Sequence, residues 1–117
     1  MKIVNIKKKE LNKRGYRDLE HWLEKEDHIY IGRNLSFYVK GATKSKWANP
    51  YSVKKYGREE CLKKYKEYVL NNKELMSSLH ELEGGVLGCW CHPEPCHGDI
   101  LIALCELAVT PGQLISR

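Results

Sequence analysis

Residues 85–109, "GVLGCWCHPEPCHGDILIALCELAV", read in order as a strand, a tight turn and a helix. The first seven residues are compact and apolar, which is typical of a buried strand. Pro93 and Pro95 then end the strand, because proline lacks the N–H donor that a ladder or helix requires. Residues 99–109 are predicted to form a helix that starts at Gly98 or Asp99.

Upstream, the chain shows the same alternation of short β-rich runs and amphipathic helices. Strands are predicted over residues 2–6 and 28–33, with one further short strand over 36–39. Helices are predicted over residues 16–26, 58–72 and 73–83. This order predicts an α/β fold with a small three- or four-stranded, mostly parallel sheet and helices on both faces, a Rossmann-like three-layer arrangement.

Length and composition indicate a single intracellular domain. The 117 residues suffice for one core, so residues 1–117 are predicted to form one domain, with a long functional loop over 34–57 and a loose tail over 110–117. A hydrophobic content of 42% with 30% charged residues excludes a disordered chain. No apolar run approaches the length of a membrane helix, and the first residues lack a secretory signal, so we expect a cytoplasmic protein.

Charge and cysteine content narrow the kinds of partner and site. The formal net charge of +5 arises from 20 basic and 15 acidic residues, a mixed surface that permits anionic ligands. An odd number of cysteines, five, in a reducing compartment makes permanent disulfides poor candidates, and free thiols or metal ligands are the better interpretation.

The turn at residues 91–99 is the leading candidate site. Cys96 and His97 lie just before the predicted helix, whose unpaired N–H groups favour an anion and would lower the pKa of a thiol. Loops that follow the carboxyl ends of parallel strands are also where α/β domains bind ligands. We therefore predict catalytic roles for Cys96 as nucleophile or His97 as acid or base, with Gly98 and Asp99 binding the ligand.

Two other interpretations of this turn stay open. In one, Cys89, Cys91 and Cys96 bind zinc together with His97 or His92, because thiolates and imidazole are usual zinc ligands. The spacing C-x-C-x4-C-H lacks the usual C-x2-C knuckle and therefore argues against a zinc site. In the other, the cysteines are small apolar residues of the core.

Residues elsewhere are predicted to converge on the same edge of the sheet. Arg33 follows a predicted strand and suits a phosphate or carboxylate group. In "SKWANPY", residues 45–51, Lys46, Trp47 and Asn49 combine a cation, a stackable ring and an amide, which fits a nucleotide. Trp47 could equally anchor the long loop to the body of the protein. Asn5 lies near the end of the first predicted strand and could join that edge, although a satisfied turn residue is the favoured interpretation.

The segments "IYIGR", "KSKWANPY", "LHELEGGVLGCWC" and "PEPCHGDILIAL" resemble, in order and spacing, a family of small uncharacterised domains found in bacteria, viruses and eukaryotes. That family is marked by an Asn-Pro and a Cys-His-Gly motif, and the resemblance runs from about residue 2 to residue 107. It implies that Asn49-Pro50 and Cys96-His97-Gly98 are the positions that matter, and it implies no particular activity.

The function predicted from the sequence is binding of a nucleotide, nucleoside or other phosphate-bearing ligand at the Cys-His-Gly turn. Whether the ligand is also processed is left open, so the chain is not assigned as an enzyme. The alternative is a non-catalytic, zinc-stabilised module that binds nucleic acid. A third hypothesis is a protein-interaction domain with Trp47 in its contact patch.

Overall fold

The computed structural model describes the backbone of residues 1–115 and the side chains of residues 1–107. Three strands form one sheet: β1 (Lys2–Asn5), β2 (His28–Tyr30) and β3 (Val86–Cys89). β3 lies in the middle and pairs in parallel with both neighbours, so the order is β1-β3-β2. The prediction of a small parallel α/β sheet is confirmed, with three strands.

The strand predicted over residues 36–39 is wrong, because this segment turns back on itself. The N–H groups of Tyr38 and Val39 both donate to the carbonyl of Leu35, which closes a turn where a strand would need a partner in the sheet. The turn lies within the long loop that was predicted to begin at residue 34.

Six helices are described: α1 (Lys8–Lys13), α2 (Leu19–Trp22), α3 (Val53–Tyr56), α4 (Arg58–Leu70), α5 (Lys73–Ser78) and α6 (His97–Ile115), with a 3-10 turn over Leu79–Leu82. Side-chain caps explain several boundaries. Asp18 caps α2, which is therefore shorter than the predicted helix over 16–26, and Ser52 caps the unpredicted α3. Asn72 caps α5 and so separates it from α4, as expected.

α6 begins at His97, two residues before the predicted start, and its backbone continues through Ile115. Most of the segment predicted as a loose tail, residues 110–117, thus lies in this helix. Ser116 and Arg117 lie outside the described residues. No helix within the described range is both long and apolar enough to cross a membrane.

Successive side chains of β3 belong to different hydrophobic clusters, because side chains alternate along a strand. Leu87 and Cys89 pack in a cluster with residues of α4, α5 and α6, while Val86 and the following Trp90 pack against a second cluster. The second cluster contains Val4 of β1 and Trp22 of α2. β3 therefore contributes to both parts of the core.

Candidate functional site

A cleft of about 800 Å³ lies between the long loop and the α4–α5 hairpin. Its walls come from the segment 33–52 on one side and from Tyr68, Asn72, Glu74, Leu75 and Ser78 on the other. Arg33 reaches the cleft at the carboxyl edge of the sheet, since the N–H of Ile31, two residues earlier, still donates to the carbonyl of Gly88 in β3. Arg33 thus connects one wall of the cleft to the carboxyl end of β2.

Positive charge dominates the wall of the cleft. Arg33, Lys44 and Lys46 line it, against the single carboxylate of Glu74 among the described lining residues. Arg33 and Lys44 are exposed, and neither side chain makes a hydrogen bond or ion pair with the described part of the chain. Two cations are thus available to an incoming anion without breaking an existing pair.

Lys46 differs because it is already paired. Its Nζ lies 2.6 Å from Oε1 of Glu81, and the hydrogen bond from Lys46 lowers the pKa of that carboxyl. Both side chains are about half exposed. A ligand anion would therefore compete with Glu81 for Lys46, in a setting where water weakens the existing pair.

The backbone of Arg33 is fixed although its guanidinium is exposed. The hydroxyl of Tyr30 donates to the carbonyl of Arg33 at 2.6 Å, and Nε1 of Trp90 donates to that hydroxyl at 3.0 Å. The ring of Tyr30 passes so close to Gly32 that an added Cβ there would meet it within 2.8 Å. Gly32 is needed for this close approach, which sets the point where Arg33 leaves the sheet.

Asn49 shapes the cleft through internal hydrogen bonds. Its Nδ2 donates to Sγ of Cys61 at 3.2 Å, and its Oδ1 accepts from the N–H of Tyr51 at 2.8 Å. Sγ of Cys61 lies 3.4 Å from the carbonyl of Tyr51. Both ends of the Asn49 amide are thus used to fix the loop around Pro50.

Trp47 is 3% exposed and packs in the core beside α4. Its carbonyl accepts a hydrogen bond of 2.7 Å from the hydroxyl of Tyr65, whose burial raises its pKa and keeps it a donor. The ring therefore does not line the cleft, although Lys46 Nζ lies 5.6 Å from its centroid. This placement favours the loop anchor, and it buries the contact patch of the protein-interaction hypothesis.

The aromatic surface of the cleft comes instead from Tyr51 and Tyr68. Their rings meet edge to face with centroids 6.2 Å apart, and both are partly exposed in the cleft. Nζ of Lys64 lies 5.9 Å from the centroid of Tyr51. These rings offer the stacking surface that the sequence assigned to Trp47.

The Cys-His-Gly turn is packed shut. Cys96 is 2% exposed, and an added Cβ on Gly98 would lie only 3.0 Å from Ile31 and 3.1 Å from Ile3. Asp99 is exposed, but one of its oxygens accepts from the N–H of Cys96 at 2.9 Å. Apolar side chains pack against the start of this helix, where the sequence predicted a ligand site.

His97 is engaged on two sides. Its Nε2 donates to the carbonyl of Ile31 at 2.7 Å, and its ring meets the ring of Tyr65 edge to face at 5.1 Å. Burial lowers the pKa of His97, which favours the neutral imidazole. His97 thus fixes the backbone at Ile31, two residues before Arg33. It also contacts Tyr65, whose hydroxyl donates to the carbonyl of Trp47.

The predicted single site is therefore divided in two. Arg33, Lys46 and Asn49 line the cleft, whereas none of residues 96–99 is among its described lining residues. The two parts are joined indirectly, through the contacts of His97 with Ile31 and Tyr65. Catalytic roles for Cys96 and His97 stay predictions.

The zinc ligands predicted from the sequence are not assembled. Within the described residues, no group of three or more His, Cys, Asp and Glu side chains is arranged to hold a metal ion. The Nε2 of His97 is occupied by Ile31, and the sulfurs of Cys89 and Cys96 face each other at 3.4 Å. The carbonyl of His92 accepts from the amide of Asn5, the last residue of β1, so Asn5 contacts the turn that follows β3.

Comparison with known proteins places the chain in a family. The sequence pattern described as "Domain of unknown function (DUF4326)" matches residues 15–107. The chain belongs to the DUF4326 family. It is also 34% identical over 88 residues to "Uncharacterized protein R718" of Acanthamoeba polyphaga mimivirus, which covers 68% of this chain and 67% of that relative. No solved structure gives a significant match.

The DUF4326 match contains both the cleft and the Cys-His-Gly turn, and it starts at Gly15, after β1 and α1, where the resemblance was expected from about residue 2. Sequence reasoning had not selected three residues of the cleft region: Lys44, Tyr68 and the buried Cys61. Only Lys44 had a local signal, because it stands two positions before Lys46 in "TKSKW".

Proposed function

We propose that this DUF4326 domain binds a phosphate-bearing small molecule, a nucleotide in the first instance, in the cleft between the long loop and the α4–α5 hairpin. The observation that carries the proposal is the pair of unpaired cations, Arg33 and Lys44, on the wall of a cleft that Arg33 connects to the carboxyl end of β2. A guanidinium suits the oxygens of a phosphate, and Lys44 adds a second positive charge.

The cleft also suits the remainder of a nucleotide. Tyr51 and Tyr68 offer partly exposed ring surface for a base or sugar, and the lining hydroxyl and amide groups of Ser45, Ser52 and Asn72 supply neutral hydrogen-bonding partners. This arrangement moves the proposed ligand from the Cys-His-Gly turn to the loop, and leaves the turn a supporting role.

The proposed architecture around this site is a three-layer, Rossmann-like one, with α1 and α2 on one face of the sheet and α4 to α6 on the other. Its support is the division of the β3 side chains between two hydrophobic clusters. In such a fold, loops at the carboxyl edge are the usual place for a ligand.

Isothermal titration of the purified chain with adenosine triphosphate, adenosine and inorganic phosphate tests the proposal. We expect the triphosphate to bind and Arg33→Ala to weaken its binding tenfold or more, since a charged hydrogen bond contributes about 1.5–3 kcal/mol. Lys63→Ala is the matched control, because Lys63 is an exposed cation of α4 outside the cleft. An equal loss in both variants, or no binding by the unaltered protein, would contradict the proposal.

A second candidate is single-stranded nucleic acid, and the exposed pair Phe37 and Tyr38 favours it. These side chains are 90% and 81% exposed, and they lie in the loop segment between Arg33 and Lys44. Exposed rings beside cations are typical of proteins that bind single strands. Affinity that increases with oligonucleotide length and falls on changing Phe37 to Ala would favour this candidate over a single nucleotide.

A further inference from the structure

Two cysteines outside the cleft face each other within the core. The sulfurs of Cys89, the last residue of β3, and Cys96, the residue before α6, lie 3.4 Å apart. Both side chains are almost fully buried, at 1% and 2% exposure. The other two buried cysteines have different partners: Cys61 contacts Asn49 and Tyr51, and Cys105 donates to the carbonyl of Leu79.

Hydrogen-bond donors surround this pair and favour a single shared negative charge. The N–H of Gly98 donates to Sγ of Cys96 at 3.3 Å, and the N–H groups of Cys91 and His92 reach the sulfur of Cys89. The hydrogen bond from Cys96 lowers the pKa of Cys89, and the same contact raises the pKa of Cys96. A thiolate held beside a thiol is the reactive form in thiol–disulfide chemistry.

We propose that Cys89 and Cys96 form a redox-active dithiol, which a small hydroperoxide oxidises to a reversible intramolecular disulfide. The two sulfurs need to approach from 3.4 Å to about 2 Å, a movement on the scale of side-chain rotation and small backbone shifts. The sequence argument against permanent bridges does not apply to a reversible one, because exposure to oxidant decides its state.

The chemistry balances with hydrogen peroxide as oxidant. The Cys89 thiolate attacks one peroxide oxygen, the O–O bond breaks, and the departing hydroxide takes up a proton to become water. Cys89 is then a sulfenic acid. The Cys96 sulfur attacks the Cys89 sulfur, the S–S bond forms as the S–O bond breaks, and the departing hydroxide takes the Cys96 proton. Two thiols are oxidised by two electrons, and one peroxide is reduced to two waters.

The route to the buried pair runs through the connecting segment 90–95. Trp90, Cys91 and His92 are only partly buried, and Pro93 to Pro95 are exposed. Side-chain hydrogen bonds hold this segment at three points: Nε1 of Trp90 donates to the hydroxyl of Tyr30, Asn5 donates to the carbonyl of His92, and Arg58 donates to the carbonyl of Pro95. Local opening of the segment would admit a molecule the size of peroxide while β3 and α6 keep their places.

Cys91 is the competing thiol, because it lies in the same segment and is more exposed than either member of the pair. Proximity nevertheless favours Cys96 as the resolving residue, since its sulfur already contacts that of Cys89. The proposal therefore specifies the linkage Cys89–Cys96 and no other.

Mass spectrometry of the full chain tests this linkage without any ligand, so the result is independent of the proposed function. Reduced protein is exposed to graded hydrogen peroxide, alkylated with iodoacetamide in denaturant, and digested without reductant. We expect the intact mass to fall by two hydrogens, a peptide carrying the Cys89–Cys96 bond, and full reversal by dithiothreitol. Alkylation of both cysteines after peroxide, stable sulfinic acid without a bond, or a bond to Cys91 would each overturn the proposal.

Variants sharpen the assignment. Cys91→Ser and Cys105→Ser are expected to retain the bond, whereas Cys96→Ser removes it and leaves Cys89 as a sulfenic acid that a dimedone probe traps. The unaltered protein alone decides the proposal if Cys96→Ser does not fold, because the linkage is identified in its own digest.

Discussion

His97 Nε2 and the carbonyl oxygen of Ile31 lie 2.7 Å apart, and this hydrogen bond ties the start of α6 to the chain just beyond β2. Two residues after Ile31 the chain reaches Arg33 and enters the cleft. The imidazole in the Cys-His-Gly turn therefore fixes the backbone two residues before the proposed ligand site begins.

Replacing His97 by Ala should lower the free energy of unfolding by about 1–3 kcal/mol, because the buried carbonyl of Ile31 loses its donor. His97→Gln, which retains an N–H donor, should recover part of the loss. Urea denaturation measures both. His80→Ala serves as control, since the side chain of His80 is exposed and donates to the carbonyl of Ser77 within its own turn. Equal stability of His97→Ala and the unaltered protein would refute a supporting role.

The pH dependence of stability should carry the signature of His97. Burial lowers its pKa in the folded state, so the unfolded chain binds more protons as the pH falls. The contribution of the neutral imidazole is present above the ordinary value of 6.5 and is lost as the pH drops from there through the folded pKa. Urea midpoints between pH 8 and pH 5 should therefore decline less steeply in His97→Gln than in the unaltered protein. Parallel curves would contradict this account.

Tyr65→Phe should destabilise the protein by about 1–3 kcal/mol, because the carbonyl of Trp47 loses its buried donor. Tyr38→Phe removes the same hydroxyl from a side chain that is largely exposed, and should leave the thermal midpoint unchanged. Thermal unfolding of the two variants side by side makes the comparison. Similar midpoints would indicate that the hydrogen bond to Trp47 adds nothing to the anchoring of the loop.

Asn49→Ala should weaken nucleotide binding although the amide is not proposed to touch the ligand. The change removes the hydrogen bonds to Cys61 and Tyr51 that fix the turn at Pro50. Asn71→Ala, which removes a comparable bond to Glu67 on the exposed surface of α4, is the control. Titration with adenosine triphosphate should show a loss in the first variant alone, and a loss in both would point to a general effect.

Glu81→Gln should strengthen the binding of an anion, because it releases Lys46 from its partner. The pair is half exposed, so water weakens it, and the gain in affinity is at most about fivefold. Glu26→Gln changes the net charge equally at an exposed carboxylate outside the cleft. Titration of both variants with adenosine triphosphate separates the local from the global effect, and equal gains would refute the local one.

The three strands of the sheet and the longer helices could be predicted at least in part from local pattern, although a further strand over residues 36–39 was predicted wrongly. β3 is a continuous apolar run, α4 buries Cys61, Tyr65 and Val69 at helical spacing, and the two asparagines after α4 mark its end correctly. The short helices α1 and α3 escaped prediction, since a helix of one or two turns leaves little periodicity in sequence. The prediction for α2 started too early, because Tyr16 fits the helical spacing of the apolar residues although it lies before the N-cap at Asp18.

Individual residues of the candidate site could be selected from the sequence, but the separation of the cleft from the Cys-His-Gly turn could not. Arg33 and Lys46 lie on the cleft wall, but the sequence had placed them at one site with the Cys-His-Gly turn, and their ligand-binding roles stay predictions. The burial of Trp47 and Cys96 depends on packing against Tyr65 and Cys89, which are distant in sequence or lie on another element. No local rule distinguishes a ring that stacks on a ligand from one that anchors a loop.

The central place of β3 has a consequence for how the polypeptide acquires its shape as it is made. Both neighbours of β3 precede it in the chain, and Lys2 pairs opposite Val86. Until the residues after Gly85 have been synthesised, β1 and β2 lack the central strand with which both of them pair. The sheet therefore closes only after the residues of β3 have been synthesised, and a product cut short before β3 would leave β1 and β2 unpaired and open to aggregation.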